Sequence, residues 1–343
     1  MNRLLLYNPE NDLALASGLE HFTPPSAAVE MSTAGAFLPF WWAEPDDTVL
    51  VPENLRTQAE NYRQRFGLNG RIGSSASVAE PWGWSLSTRR RLLNAGFPVD
   101  RLPSVEQIDK IRHLSHRRIT AEIHRLLGSD AIPVEARTTD EALRAIADFG
   151  HAVVKLPWSC SGRGVFFSKL CHPDELRRRI DGSIRRQGSV MIEPEYQVER
   201  EIAVLFRCDN GIASFRGFSS TVSAGAGRYG GNLVMKRDDL ANLAGRDALD
   251  AATALQPIIS SLIGHHYSGW LGIDMLRHSS GLNPCMEVNL RMTMGVLALY
   301  LAERLIADGE SGIIRTTPDV VPDGAIDLST PGSKMKITFS KTP

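Results

Sequence analysis

Apolar positions in this chain alternate between short β-like runs and longer stretches of helical period, the ordering of an α/β protein. Residues 3–7 (RLLLY) and 48–52 are β-rich, whereas 54–66 and 88–95 are helical in pattern. Arg101-Leu102-Pro103-Ser104 reads as a boundary. A long helical stretch over 105–127 ends before Gly128. After a short strand at 132–136, Thr138 and Glu141 supply N-cap chemistry for a helix to about Phe149. Strands at 151–156 and 164–170 flank a loop of small residues. His172 then opens a helix in which Pro173 suits the first turn and Asp174 and Glu175 suit its dipole. Further strands are expected at 190–193, 200–207 and 215–222, a helix at 247–264, and a terminal helix at 295–308. After about Arg315 the chain is rich in Pro, Asp and Gly, with one strand at 334–339.

The segment WLGIDMLRHSSGLNPCMEVNLR has the pattern of a hairpin: an apolar strand at 270–276, turn chemistry at 278–281, and a second strand at 285–290. A turn centred between Ser280 and Gly281 sets Asp274 opposite Glu287, and Asn289 follows on the face of Glu287. Two like charges directly opposed repel. A divalent cation between them removes the conflict, and three hard oxygen ligands suit Mg²⁺ or Mn²⁺ together with substrate phosphates. The alternative is a solvated hairpin face carrying a chance acid pair.

Composition narrows the class without naming a function. The 343 residues are 43% hydrophobic and 22% charged, ordinary for a globular protein of two or three domains. A net charge of -1 gives no electrostatic case for nucleic acid or an anionic membrane. No apolar run approaches the ~18–20 residues of a membrane helix, and the apolar run at the N-terminus is too short for a secretory signal. The four cysteines are scattered with no CxxC pair, which points to free thiols in a reducing cytoplasm.

Two further segments carry candidate chemistry. In AVVKLPWSCSGRGV a strand delivers Lys155, followed by a small-residue loop and another strand. Such a loop lets backbone N–H groups approach phosphate oxygens, and the lysine adds a point charge. It is not a Walker A motif, and many loops of this kind are plain hairpin turns. In MIEPEYQVEREIAV a β-run breaks at Glu193-Pro194 and resumes at Glu201. A broken strand exposes backbone groups that pair with an adenine edge, or it is simply an acidic connection.

The order of these segments, ending in GIDML and MEVNLR, resembles the ATP-grasp superfamily over roughly residues 104–308. The most specific part is GIDML…MEVNLRMTMG. The resemblance implies an α/β (α+β ATP-grasp) fold: a small N-terminal α/β domain over 1–103, a small grasp lobe over 104–190, a large lobe with the metal site over 191–315, and a tail over 316–343. It implies ATP and Mg²⁺ (or Mn²⁺) as ligands. Lys155 would contact the α/β-phosphates, with Ser161, Gly162 and Gly164 in the loop over them. Ile192 and Glu193 would meet adenine, and Glu201, rather than Glu199, would hold the ribose. Asp274, Glu287 and Asn289 would bind metal, and Arg291 would stabilise the transferring phosphoryl group. The superfamily's upstream phosphate-binding lysine has no clean counterpart; Arg118 stands nearest, with Lys110 further back. The loop lacks a glycine run, and Leu290 replaces a common proline.

The reaction so implied is ligation of a small-molecule carboxylate to an amine or thiol through an acyl phosphate, releasing ADP and phosphate. The alternatives are a kinase-like phosphotransferase and a nucleotide-binding module without catalysis. A homodimer is compatible with the resemblance, and neither nucleic acid nor membrane is an expected partner. Two segments are candidates for the acceptor. Residues 223–232 (SAGAGRYGGN) offer glycines for close approach and Arg228 for a carboxylate, or form a surface loop. Residues 8–12 (NPEND) follow the first strand and either present polar groups to a cleft or form a capped turn, the simpler reading. The basic run Arg177–Arg186 is expected to be a solvated face, Trp41 and Trp42 to be core, and His265-His266 to point apart rather than chelate.

Overall fold

The computed structural model describes residues 2–159, 164–223 and 229–342. Its architecture is mixed α/β, as the pattern implies, and rests on three sheets. The first is parallel: β1 (Arg3–Leu6), β2 (Thr48–Val49), β3 (Arg71–Ile72) and β4 (Val78–Pro81), in the order β3-β2-β1-β4. Leu4, Leu5 and Leu6 are consecutive and all buried, as a parallel strand covered on both faces requires. The chain leaves β1 toward β2 and β3, then returns to the opposite side as β4. The ends of β1 and β4 therefore form a topological switch point, where α/β sheets open a crevice.

The second sheet is antiparallel: β5 (Val134–Ala136), β6 (Ala152–Lys155), β7 (Val165–Phe167) and β8 (Val190–Pro194), in the order β5-β8-β6-β7. The helices Thr139–Phe149 and Pro173–Gln187 back it, and their shared core is separate from that of the rest of the chain. Thr138 and Glu141 form the expected capping box. Strand β8 lies wholly in this sheet, so the structural break follows Pro194 rather than the boundary expected at residue 190.

The third sheet has eight strands: β9 (Val198–Asp209), β10 (Ile212–Ser223), β11 (Tyr229–Val234), β12 (Gly269–His278), β13 (Gly281–Asn289), β14 (Gly312–Pro318), β15 (Ile326–Asp327) and β16 (Met335–Lys341). Their order is β13-β12-β9-β10-β11-β14-β16-β15. It shares one hydrophobic core with the parallel sheet, and Trp41 and Trp42 lie in that core as expected. A bidentate ion pair, Arg207 to Glu80 at 2.5 and 2.8 Å, joins the two sheets at their interface. The main chain joins them too, through Met292 N–H to the Trp82 carbonyl at 2.7 Å.

In the segment 316–343 the strand expected at 334–339 is present as β16, which pairs along the length of β14, and Thr330 N–H reaches the Ala34 carbonyl at 2.8 Å. Other expectations are corrected. Residues 229–232 of the glycine-rich segment belong to β11, inside the large sheet. Gly231 must be glycine there, since a Cβ would stand 2.4 Å from the Ile314 carbonyl. The helices Asn11–Ser17, Ser26–Ala34 and Arg237–Ala244 have no counterpart in the sequence reading. Among the described residues no helix is long and apolar enough to cross a membrane.

The stretch expected as one helix over 105–127 is two, Val105–Leu114 and Arg118–Leu127. Ser115 turns its hydroxyl back onto the Ile111 carbonyl at 2.8 Å, and the His116 imidazole Nδ1 accepts the Arg118 N–H at 2.9 Å. Side chains thus satisfy backbone groups that a continuous helix would have used. His116 is buried against Trp158, and burial, with Arg118 and Arg112 adding, depresses its pKa from 6.5 to about 3. Between those values the unfolded chain binds a proton that the folded chain refuses, so this contribution to stability is complete above 6.5 and declines as pH falls toward 3. Thermal melts across that window should show a steeper loss of Tm for the native protein than for His116→Asn, whose amide oxygen still accepts the Arg118 N–H. Parallel slopes would remove His116 as a cause.

Candidate active site

Strands β9, β12 and β13 bring the predicted polar residues onto one face. Asp274 pairs directly with Glu287, and Gly272 with Asn289. The turn, however, is tighter than expected, with His278 opposite Gly281 and Leu276 opposite Asn283. A bulge between Asp274 and Leu276 restores the Asp274–Glu287 pairing. Pro284 accounts for it: it lacks a ladder N–H and lies on the sheet's edge strand, where proline is tolerated. The bulge is anchored by Asn283 Oδ1, which accepts the Cys285 N–H at 3.0 Å, and by the buried His124 Nε2, 2.9 Å from the Cys285 carbonyl.

The two carboxylates have different surroundings. Glu287 Oε1 accepts from Arg117 Nη2 at 2.6 Å. Burial pushes Glu287 up, but Arg117, with Lys155 and Arg291, outweighs it and holds the carboxyl below its usual range. Asp274 has no such partner among the described residues. Burial first, and the charge of Glu287 second, raise it well above the usual carboxylate range, against the pull of Arg291 and Asn289. The Asn289 amide nitrogen donates to Asp274 Oδ2 at 3.1 Å, and its oxygen accepts from Arg291 Nη2 at 2.9 Å. Arg291 in turn grips Asp12 through Nε at 2.8 and 2.9 Å. A polar chain thus runs from Asp12, in the first turn of the helix Asn11–Ser17, through Arg291 and Asn289 to Asp274.

Arg117, rather than Arg118, turns toward the opposed carboxylates. The Arg118 side chain is 45% exposed and pairs with Glu135 at 2.9 Å, away from the carboxylates. Arg117 is 5% exposed, sits in the break between the two helices, and reaches three elements at once. Besides Glu287 it donates to the Leu156 carbonyl at 2.5 Å and Ser159 Oγ at 2.8 Å, at the base of the small-residue loop. Its Nε is buried with no partner among the described residues. The signal that marks it is Ser115-His116 as a helix interruption, which turns the next side chain inward.

Lys155 ends β6 and donates to Glu193 Oε2 at 2.6 Å, so the predicted phosphate lysine and the predicted hinge acid form a buried pair. Gly164 closes the loop in the left-handed region at φ 87°, where a Cβ would also press on Leu156. Ile192 is held inside β8 between β5 and β6 with its side chain in the small-lobe core, so it is not placed to meet a base. Glu201 stands on β9, accepts from Thr221 Oγ1 at 2.6 Å, and acts electrostatically on Asp274. Ser161, Gly162 and Arg228 lie outside the described residues.

These residues fit a divalent cation. Two opposed carboxylates, one of them without a cationic partner among the described residues, are a poor arrangement for the chain alone and a good one around Mg²⁺. Among the described residues no third Asp, Glu, His or Cys joins them, and Mg²⁺ sites with few carboxylates characteristically complete their shell with phosphate and water. As placed, the Asn289 amide turns its nitrogen toward Asp274, so it would have to rotate to serve as a ligand.

No protein-family model and no curated protein matches this sequence. Solved structures do share its fold. N5-carboxyaminoimidazole synthetase from Staphylococcus aureus, complexed with ADP, matches with a TM-score of 0.57 over 99% of this chain and 93% of that one, at 12% identity. The biotin carboxylase domain of Hydrogenobacter thermophilus 2-oxoglutarate carboxylase, in complex with MgADP, ADP and bicarbonate, gives 0.53 over 100% and 86%, at 12% identity. A protein from Archaeoglobus fulgidus assigned to the ATP-grasp superfamily gives 0.52 over the whole of both chains, at 12% identity.

The ion pairs predict unequal costs for the two adjacent arginines. Arg117→Met leaves Glu287 facing Asp274 without compensation and should lower the unfolding free energy by about 2–4 kcal/mol. Arg118→Met, on an exposed pair, should stay within about 0.5 kcal/mol of the native protein. Urea denaturation of the two variants measures the difference; equal effects would contradict the assignment of Arg117 to the site.

Proposed function

We propose that this chain, which has the ATP-grasp fold, is an ATP- and Mg²⁺-dependent ligase that activates a carboxylate for attack by an amine. The observation that carries this reading is the opposed pair Asp274–Glu287 ringed by Arg117, Lys155 and Arg291. Such a cluster offers oxygen ligands to a metal and positive charge to phosphate in the same cleft. A carboxylate is a poor electrophile, and its direct condensation with an amine in water is uphill. Attack of the carboxylate oxygen on the γ-phosphorus gives an acyl phosphate and ADP. The amine nitrogen then attacks the acyl carbon, phosphate leaves, and the nitrogen loses a proton to give the amide.

In this reading Lys155 turns from Glu193 to the α/β-phosphates, and Arg117 takes the place anticipated for Arg118. Gly164, with Ser161 and Gly162, forms the loop over the phosphates. Adenine lies against the connection after β8, where Glu193 ends the small lobe, and Glu201 accepts a ribose hydroxyl. Asp274, Glu287 and Asn289 would hold Mg²⁺, which would supply charge neutralisation for phosphoryl transfer. Arg291 stabilises the transferring phosphoryl group or the acyl phosphate, and Arg228 is a candidate for binding the carboxylate that is activated. The separate core of the small lobe supports its moving as a body over the nucleotide.

Asp274→Asn and Glu287→Gln should each abolish Mg²⁺-dependent ADP release while the protein stays folded. Asp274→Asn removes the like-charge opposition, so its Tm without metal should equal or exceed that of the native protein. Full ADP release in both variants would overturn the metal assignment. Product analysis separates the reaction types: a ligase needs a second co-substrate for steady turnover and forms an amide, whereas a stable phosphorylated product would replace the ligase reading with phosphotransfer. Lys155→Ala should weaken ADP binding by about tenfold, measured by calorimetry; unchanged affinity would contradict its phosphate role.

A further inference from the structure

The switch point of the parallel sheet contains polar groups that the nucleotide and metal site does not use. The turn after β1 and the turn after β4 are tied together by Asn8, whose Nδ2 donates to the Gly83 carbonyl at 2.9 Å and to Thr88 Oγ1 at 2.9 Å. Between these turns lies the Asn11 side chain. It is 1% exposed, and neither its amide nitrogen nor its amide oxygen has a hydrogen-bond partner among the described residues. It packs so closely on Gly83 that a Cβ there would stand 2.5 Å from its amide nitrogen. Leaving a buried amide unpaired is costly, typically about 1–3 kcal/mol. An apolar residue of similar shape would avoid that cost, so a ligand is a natural reason for the amide to be there.

Two charged groups flank it. The Glu10 side chain is 14% exposed, with Oε2 buried and unpartnered among the described residues. Arg91, 40% exposed at the rim, approaches Glu10 only to 4.0 Å. Desolvation lowers Arg91 and raises Glu10 despite their mutual attraction, so the pair leaves each charge under-compensated. The adjoining Asp12 and Arg291 already satisfy each other, and Gly83 forms a β-bridge to Arg291. The crevice is therefore close to neutral, with one separated acid–base pair, one idle amide, and the phosphoryl-side arginine as its neighbour.

We propose that this crevice binds the acceptor of the ligase reaction, and that the acceptor is a zwitterion of the α-amino-acid class. Glu10 takes its ammonium group, Arg91 its carboxylate, and Asn11 fixes its orientation. A singly charged amine would leave Arg91 uncompensated, and a simple carboxylate would leave Glu10 so. The inference rests on the proposed ligase function, because the crevice becomes an acceptor site only if Arg291 serves a phosphoryl group.

Calorimetric titration of the full-length protein, saturated with MgADP, with each proteinogenic amino acid in turn tests it. Methylamine and acetate serve as singly charged controls. At least one amino acid should bind, with neither control binding comparably. Its affinity should fall by about tenfold or more in Asn11→Leu and in Glu10→Gln. Asn11→Leu should also melt no lower than the native protein, because it removes an unpaired amide. Unchanged amino-acid affinity in both variants, a lower melting temperature for Asn11→Leu, or methylamine binding as well as any amino acid would overturn the proposal. MgADP binding without binding of any amino acid would overturn this inference alone. Amino-acid binding without MgADP binding would instead overturn the proposed nucleotide chemistry.

Discussion

Two carboxylates held face to face, Asp274 on β12 and Glu287 on β13, are the constraint to which the rest of the cleft answers. Like charges in register are unfavourable on a half-buried sheet face. The chain therefore surrounds them with compensating groups: Arg117 on Glu287, and the Asn289 amide on Asp274. The compensation is incomplete, since Asp274 remains pushed toward its protonated form. A site left partly frustrated in the metal-free protein is what a cation and a polyphosphate, arriving together, would relieve. In the proposed reading, phosphate oxygens would compete for Arg117, Lys155 and Arg291, and the metal for the carboxylates those cations leave.

The same constraint draws the three sheets to one place. Arg117 joins the start of the helix Arg118–Leu127, the base of the loop after β6, and β13. Arg291, just after β13, reaches Asp12 at the start of the helix Asn11–Ser17, and the Met292–Trp82 hydrogen bond and the Arg207–Glu80 pair tie the parallel sheet to the eight-stranded one. The parallel and eight-stranded sheets thus share one core, whereas the small lobe packs around its own. Arg117 crosses that boundary through hydrogen bonds to the base of the loop.

The elements that the chain announces locally are those with a period and a cap. The alternation in WLGIDML and CMEVNL places Asp274, Glu287 and Asn289 on one face, and Thr138 with Glu141 sets a helix start that the structure retains. The hairpin pairing and the location of its turn at His278–Gly281 are both legible. The turn is centred one position earlier than assumed, and the bulge at Pro284 returns the strands to the anticipated register. What the sequence leaves hidden depends on contacts distant along the chain. The choice between Arg117 and Arg118 turns on a helix break made by Ser115 and His116, two side chains compatible with a continuous helix. The C-terminal residues read as a tail with a single strand because Pro, Asp and Gly dominate them, yet that strand, β16, finds its partner in β14. Asp12 looks like part of a capped turn until Arg291, 279 positions away, closes on it.

The most direct measurement is the affinity of ADP for the purified protein with and without Mg²⁺, by isothermal titration calorimetry. If Asp274 and Glu287 hold a metal that also carries phosphate, Mg²⁺ should tighten ADP binding by at least about tenfold, and Asp274→Asn should erase that gain while leaving the metal-free affinity in place. Equal affinity with and without Mg²⁺, or a gain that survives Asp274→Asn, would contradict the central role given to the opposed carboxylates.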